Sequence, residues 1–108
     1  MLRTVRQRKQ LCRTCPVAYV ADILGDSCSL LIMRDLLEKP RRYSELEDSL
    51  SGISSRTICN KLKSLEKEGL IRKINRKNPI RTEYALTKKG AAFNNVIESM
   101  RVYGKKYL

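Results

Sequence analysis

The sequence predicts a mainly α, α+β fold, a helical domain carrying one two-stranded hairpin. Three observations predict it. Apolar residues recur at helical spacing through residues 17–37 and again through 55–68. Between residues 70 and 86 the period changes towards two, interrupted by Lys77-Asn78-Pro79, a turn signal. After Thr87 the helical period returns at Phe93, Val96, Met100, Tyr103 and Tyr107. With 108 residues, 42% of them hydrophobic, there is material for one small core and one domain.

The elements follow in order. Residues 1–13 are polar and basic, with Leu2, Val5 and Leu11 as sparse apolar positions. They read as a basic arm or a short helix that needs a partner. A helix begins at Cys15-Pro16, since proline suits the first helical position. Val17, Val20, Ile23 and Leu24 line it, and Gly25 ends it. Asp26 or Ser27 caps a second helix over residues 28–38, apolar on most of its circumference and therefore central. Lys39-Pro40 stops it. A short helix spans 44–50, and Ser44 three residues before Glu47 has the form of a capping box. Ser51-Gly52-Ile53-Ser54 is a turn. Ser54 caps a longer helix over about 55–68, closed by Gly69. Strands over 70–76 and 80–86 form the hairpin, with Ile80, Thr82, Tyr84 and Leu86 on one face. Thr87 caps a last helix from about residue 88 to the end. Its 3-4-3-4 stripe of Phe93, Val96, Met100, Tyr103 and Tyr107, with Ile97 beside it, resembles a coiled-coil seam.

Charge separates the function classes. There are 23 Lys and Arg against 11 Asp and Glu, a net charge of +12. Residues 1–14 carry five cations and no anion, residues 15–53 a net −3, and residues 54–108 a net +10. A surface that only needed solubility would mix its signs, so this asymmetry points to a polyanionic partner. No apolar run approaches the roughly 20 residues of a membrane-spanning helix, and the start lacks a signal-like apolar segment. A cytoplasmic location is expected. Histidine is absent, which removes His-based triads, His general bases and His metal ligands. With no Gly-rich phosphate loop and no paired acids in a plausible pocket, an enzyme is not expected, nor any cofactor.

Helix, helix, helix-turn-helix, basic hairpin and helix, in that order, describe a winged helix-turn-helix domain with a two-stranded wing. The domain spans residues 14–87, and 88–108 form a dimerising helix. In the helix over 55–68, Ile58, Leu62 and Leu65 share one side. The opposite side presents Arg56, Asn60, Lys63 and Lys67, with Thr57 and Ser64 at its flank. Arg pairs bidentately with guanine and Asn with adenine. Ser55, Arg56, Thr57 and Asn60, near the helix N-terminus, are therefore the candidate base contacts, and Lys61, Lys63 and Lys67 the candidate phosphate contacts. Arg72, Lys73, Arg76, Lys77 and Arg81 surround the wing turn and suit a minor groove. Arg41, Arg42, Tyr43 and Ser44 precede a helix N-terminus whose backbone could hold a phosphate. The expected partners are double-stranded DNA and a second copy of the chain, through Phe93, Val96, Ile97, Met100, Tyr103 and Tyr107, with no membrane. The alternative is a non-specific architectural or RNA-binding basic protein.

A set of motifs spread over roughly residues 12–92 carries a resemblance. They are Cys15-Pro-Val-Ala-Tyr, Leu24-Gly25, Leu30-Leu-Ile-Met-Arg-Asp-Leu-Leu37, Arg42-Tyr-Ser-Glu-Leu46, Gly52-Ile-Ser54, Leu62-Lys-Ser-Leu-Glu66, Gly69-Leu70, and Glu83-Tyr-Ala-Leu-Thr87 with Gly90. In this order they resemble the HxlR-type, MarR-like winged helix-turn-helix regulators of bacteria and archaea. The resemblance implies a homodimer joined through its terminal helices on an inverted-repeat operator. Asp26-Ser27-Cys28 stands where that family usually has a Trp after Gly-Gly-Lys, and the wing is short.

The four cysteines are Cys12, Cys15, Cys28 and Cys59. Cys12-Arg-Thr-Cys15 is a lone CxxC without histidine, a weak zinc signal, and no metal site is expected. Structural disulfides are not expected in a cytosolic protein. Some HxlR relatives sense through the Cys of the Cys-Pro motif, which maps onto Cys15. It precedes a helix N-terminus near Arg13, the electropositive setting in which reactive thiols occur, and Cys12 could resolve an oxidised form. A small buried hydrophobe is the other reading of Cys15, and plain packing is expected of Cys28 and Cys59.

Overall fold

The computed structural model describes residues 15–75, 77–78 and 81–108. Helix α1 spans Pro16–Leu24, and Cys15 before it is extended (φ −137°), as a residue preceding proline should be. Helix α2 spans Ser27–Glu38, with the Asp26 carboxylate accepting from the Ser29 N–H at 2.8 Å. Strand β1 covers Arg41–Arg42 and α3 covers Tyr43–Ser49. Helix α4 is Ser55–Lys67, capped by Ser54. Strands β2 and β3 are Ile71–Ile74 and Glu83–Leu86. The chain closes with α5, Lys88–Ala91, and α6, Asn94–Tyr107. The basic segment 1–13, Arg76 and Ile80 lie outside the described residues.

Helix α2 is the centre of the core. Its Ile32, Met33 and Leu36 are buried with Leu46 of α3, Leu50 just past its end, Ile58, Leu62 and Leu65 of α4, and Leu70 and Ile71 at the sheet. Each such aliphatic side chain contributes roughly 1.5–3 kcal/mol by burial. Tyr84, Leu86 and Phe93 pack against the same cluster from β3 and the C-terminal end.

Four expectations need correction. First, the expected hairpin is present as β2 and β3, but a third strand joins it, in an antiparallel sheet of order β1-β3-β2. Arg41 pairs with Tyr84 and Arg42 with Glu83, while Ile71 pairs with Leu86. Two consecutive arginines before a helix carry no strand signal, and it is β3 that supplies their hydrogen-bonding edge. Second, the capping box at Ser44 and Glu47 does not form. Helix α3 starts one residue earlier, and Glu45 accepts from the Arg42 N–H at 3.0 Å, which holds its carboxyl below the usual range. Third, the last helix is broken at Ala92-Phe93. Gly90 is seated where a Cβ would run into the Leu70 carbonyl, and Phe93 turns onto the core, so the chain is redirected between them. The turn is closed by Phe93 N–H to Gly90 O at 3.0 Å. Fourth, Val17 and Val20 lie outside the core. They are exposed beside Tyr19, Val17 by 76%.

Helix α4 ends as its sequence requires. Gly69 adopts φ +77°, which glycine alone tolerates freely. Its N–H reaches Glu66 O at 3.0 Å and the Leu70 N–H reaches Leu65 O at 3.0 Å, a Schellman motif with buried Leu65 and Leu70 as its apolar contact.

Candidate nucleic-acid interface

Helix α4 is anchored by one buried stripe, Ile58, Leu62 and Leu65. At about 100° per residue the side opposite carries Arg56, Asn60, Lys63 and Lys67, and all four are exposed. Ser64 is exposed at their flank. This face holds three cations and an amide, the donor set that base edges and phosphates accept.

The other expected contacts on α4 are engaged within the chain. Ser54 Oγ accepts from the Thr57 N–H at 3.2 Å and donates to Thr57 Oγ1 at 2.9 Å. Ser55 Oγ donates to Glu47 Oε2 at 2.9 Å. Lys61 turns off the outward face, its ammonium 3.4 Å from Asp26 Oδ2. Burial opposes the Asp26 charge, but the Ser29 N–H and Lys61 outweigh it and hold the carboxyl below its ordinary value.

Two residues on the edge of this helix have roles that sequence patterning missed. Tyr43, at the start of α3, donates its hydroxyl to the Ser55 carbonyl at 3.3 Å. Cys59, one helical turn beyond Ser55, lies beside the same hydroxyl and pushes the phenol up to about 12. Tyr43 therefore remains a donor throughout the physiological range. Cys59 is exposed on α4, so the expectation of plain packing fails for it. Its position on the wheel, at the border of the buried stripe, was the available signal.

The wing lies beside this helix. Arg72 and Lys73 are exposed on β2, and Lys73 Nζ sits 5.9 Å from the centre of the Tyr84 ring. Asn75 takes a left-handed conformation (φ 59°), and with Lys77, Asn78 and Arg81 it lines a concavity of about 280 Å³ at the tip. Thr82 Oγ1 closes the loop by donating to Asn78 O at 3.1 Å. Arg42 and Ser44 are exposed at the start of α3, on the sheet edge.

The remaining candidates divide. Cys15 is half-buried at the N-cap of α1, and Cys12 lies outside the described residues. Cys28 is buried as expected, and burial first, then Asp26, pushes its thiol up. Among the described residues no three His, Cys, Asp or Glu converge as a metal ion would require. Of the C-terminal stripe, Ile97 is 6% exposed and Phe93 packs on the core, so both face their own chain. Val96, Met100, Tyr103 and Tyr107 are exposed. Among the described residues no single helix is long and apolar enough to cross a membrane.

Comparison with known proteins places this arrangement. Residues 23–108 match the model of the HxlR-like helix-turn-helix family. An uncharacterised HTH-type transcriptional regulator of Synechocystis sp. is 36% identical over 95 residues, covering 87% of this chain and 70% of that protein. The crystal structure of a MarR-family transcriptional regulator from Porphyromonas gingivalis superposes with a TM-score of 0.80 at 31% identity, over 88% of this chain and 94% of that one. The quinone-bound structure of YodB from Bacillus subtilis gives a TM-score of 0.74 at 26% identity, over 86% of this chain and 100% of that one. The chain thus belongs to the HxlR-like helix-turn-helix family, and it is a transcriptional regulator rather than an enzyme.

Proposed function

We propose that this regulator reads a specific inverted-repeat operator as a homodimer, with α4 in the major groove and the β2–β3 loop on the adjacent minor groove. The observation that carries this is the face of α4 on which Arg56, Asn60, Lys63 and Lys67 are together exposed, opposite a fully buried stripe. Arg56 and Asn60 offer directional bonds to bases, while Lys63 and Lys67 offer charge to phosphates. Arg72, Lys77 and Arg81 extend the cationic surface along the wing, and Arg42 and Ser44 extend it past α3. A second copy is supported by apolar surface that the described residues leave uncovered. Val17 and Val20 of α1 lie exposed near Val96 and Met100 of α6, and a groove of about 450 Å³ runs between the two helices. Selection of bound duplexes from a random pool tests the reading. It predicts an enriched palindromic site with half-site centres about 34 Å apart. Equal recovery of all sequences would favour a non-specific architectural or RNA-binding role.

A second reading concerns Cys15. YodB, 28% identical over 95 residues, has been solved in reduced, quinone-bound and diamide-treated forms. Cys15 stands at the N-terminus of α1, next to Pro16 of the apolar groove. We infer that its thiol adds to electrophiles such as quinones and so alters operator release, with Cys12 as the resolving thiol under oxidation. Loss of operator binding on quinone treatment, abolished in Cys15→Ser, is the expected result. Equal loss in both proteins would remove Cys15 from the mechanism.

A further inference from the structure

The recognition helix is gripped on both sides of its buried stripe. Counting about 100° per residue, Ile58, Leu62 and Leu65 centre the inward side. On one flank of it, Lys61 meets Asp26, the cap of α2, at 3.4 Å. On the other flank, the Tyr43 hydroxyl reaches the Ser55 carbonyl at 3.3 Å. Each flank is therefore tied to a different helix, α2 or α3. Burial of an apolar stripe decides which side of the helix faces inward, and being non-directional it does not by itself single out one roll angle to within a few degrees. Polar contacts on either side of the stripe are directional.

We propose that Tyr43 and Lys61 are positioning residues that fix the roll of α4, and with it the choice of base pairs, an inference that rests on the DNA-reading role given above. The magnitudes make roll the sensitive coordinate. A helix with its side chains has a radius of about 5–6 Å, so a roll of about 10° moves a side-chain end by about 1 Å. That exceeds the roughly 0.5 Å range over which a hydrogen bond to a base edge keeps its strength. A diffuse phosphate attraction changes little over the same displacement. Loss of either grip therefore lowers discrimination between sequences, not attraction to DNA in general. Lys61 acts here through Asp26 and not on a phosphate.

The test uses the full chain, the selected operator and a random duplex, each bound over a range of salt at a temperature where circular dichroism shows every variant folded. Tyr43→Phe keeps the ring on the core and removes only the hydroxyl. Operator affinity is expected to fall about three- to tenfold, with random-duplex affinity within about twofold of wild type. Lys61→Gln is expected to lose specificity in the same way with an unchanged salt slope, and Lys61→Arg, which can keep the pair with Asp26, is expected to restore it. A slope shallower by about 2 for the Lys61→Gln dimer would show one lost phosphate contact per subunit and overturn the assignment of Lys61. Parallel losses on operator and random DNA in Tyr43→Phe would make Tyr43 a backbone contact, and no change on either would remove it from the clamp. A wild-type protein without operator preference would overturn the DNA-reading role itself and the clamp with it, an outcome separable from all of these.

Discussion

The Thr87 hydroxyl donates to the Gly69 carbonyl at 2.6 Å, joining the root of the C-terminal helices to the end of α4. Lys89 Nζ repeats the link to Glu68 O at 2.7 Å, and Thr87 N–H reaches Leu70 O at 3.1 Å. Whatever holds α5 and α6 in place is thereby coupled to the last turn of α4.

Three glycines test this junction. Gly90 lies in a helix, where alanine is ordinarily better by about 1 kcal/mol. A Cβ there runs into the Leu70 carbonyl. Gly90→Ala is therefore expected to destabilise, by about 1–3 kcal/mol. Gly69→Ala should cost about 1 kcal/mol, since φ there is +77°. Gly104, inside α6 with nothing within 4 Å of its Cβ position among the described residues, should gain about 0.5–1 kcal/mol on change to alanine. Urea unfolding of the three variants checks the order. A stabilised Gly90→Ala would refute the tight seat.

Base and phosphate contacts on α4 should separate in binding. Arg56→Ala and Asn60→Ala are each expected to cost about 1–3 kcal/mol at the operator and to relax choice at one position per half-site. Lys67→Ala should weaken all duplexes alike. If each subunit neutralises about four phosphates, log K against log salt should have a slope near −7. A slope shallower than about −3 would rule out α4 and the wing acting together in a dimer, and proportional losses on operator and random DNA in Arg56→Ala would remove it from base reading.

Much of this was legible in the chain because helix signals are local. The period of Ile58, Leu62 and Leu65, the caps at Asp26 and Ser54, and Gly69 after α4 each state their structure within a few residues. What was hidden is non-local. Strand β1 exists only because β3 offers an edge to Arg41 and Arg42. The break at Ala92-Phe93 depends on the Leu70 carbonyl, some 20 residues away in sequence, meeting Gly90. The outward face of α4 was readable from its wheel, but the diversion of Ser55 to Glu47 and of Lys61 to Asp26 was not, since it depends on where α3 and α2 end in space.

Acid should reveal the Asp26 pairing. Its carboxyl is lowered from 3.8 in the folded chain by Ser29 and Lys61, against the opposing effect of burial. A depressed carboxylate adds stability above its unfolded pKa, and that stability is lost as pH falls below about 3.8 towards the folded value. Asp26→Asn keeps an N-cap, because Asn caps as well as Asp, but it removes the charge. Wild type should be the more stable at pH 7, and the gap should narrow as pH falls below 4. Thermal midpoints from pH 3 to 7 measure this, and a gap that stays constant over that range would exclude the charge as its source.

Assembly is the last expectation. Once Phe93 and Ile97 have packed inward, α6 still exposes Val96, Met100, Tyr103 and Tyr107, with the Tyr103 and Tyr107 rings 5.0 Å apart. Helix α1 adds Val17 and Val20 across the groove. Apolar area grouped in this way on two adjacent helices is a usual mark of an association surface, and a two-fold pair is its commonest use. Because α5, which leads into α6, is rooted on Glu68 and Gly69 through Lys89 and Thr87, a pair formed there should also set the distance between the two copies of α4. Met100→Asp with Val96→Asp should give a monomer that keeps its helical content, since neither side chain belongs to the buried core. Val17→Asp should weaken the pair without touching α6. Mass in solution at micromolar concentration decides the matter. A wild-type monomer that still protects both half-sites of an operator would show that α1 and α6 have another purpose.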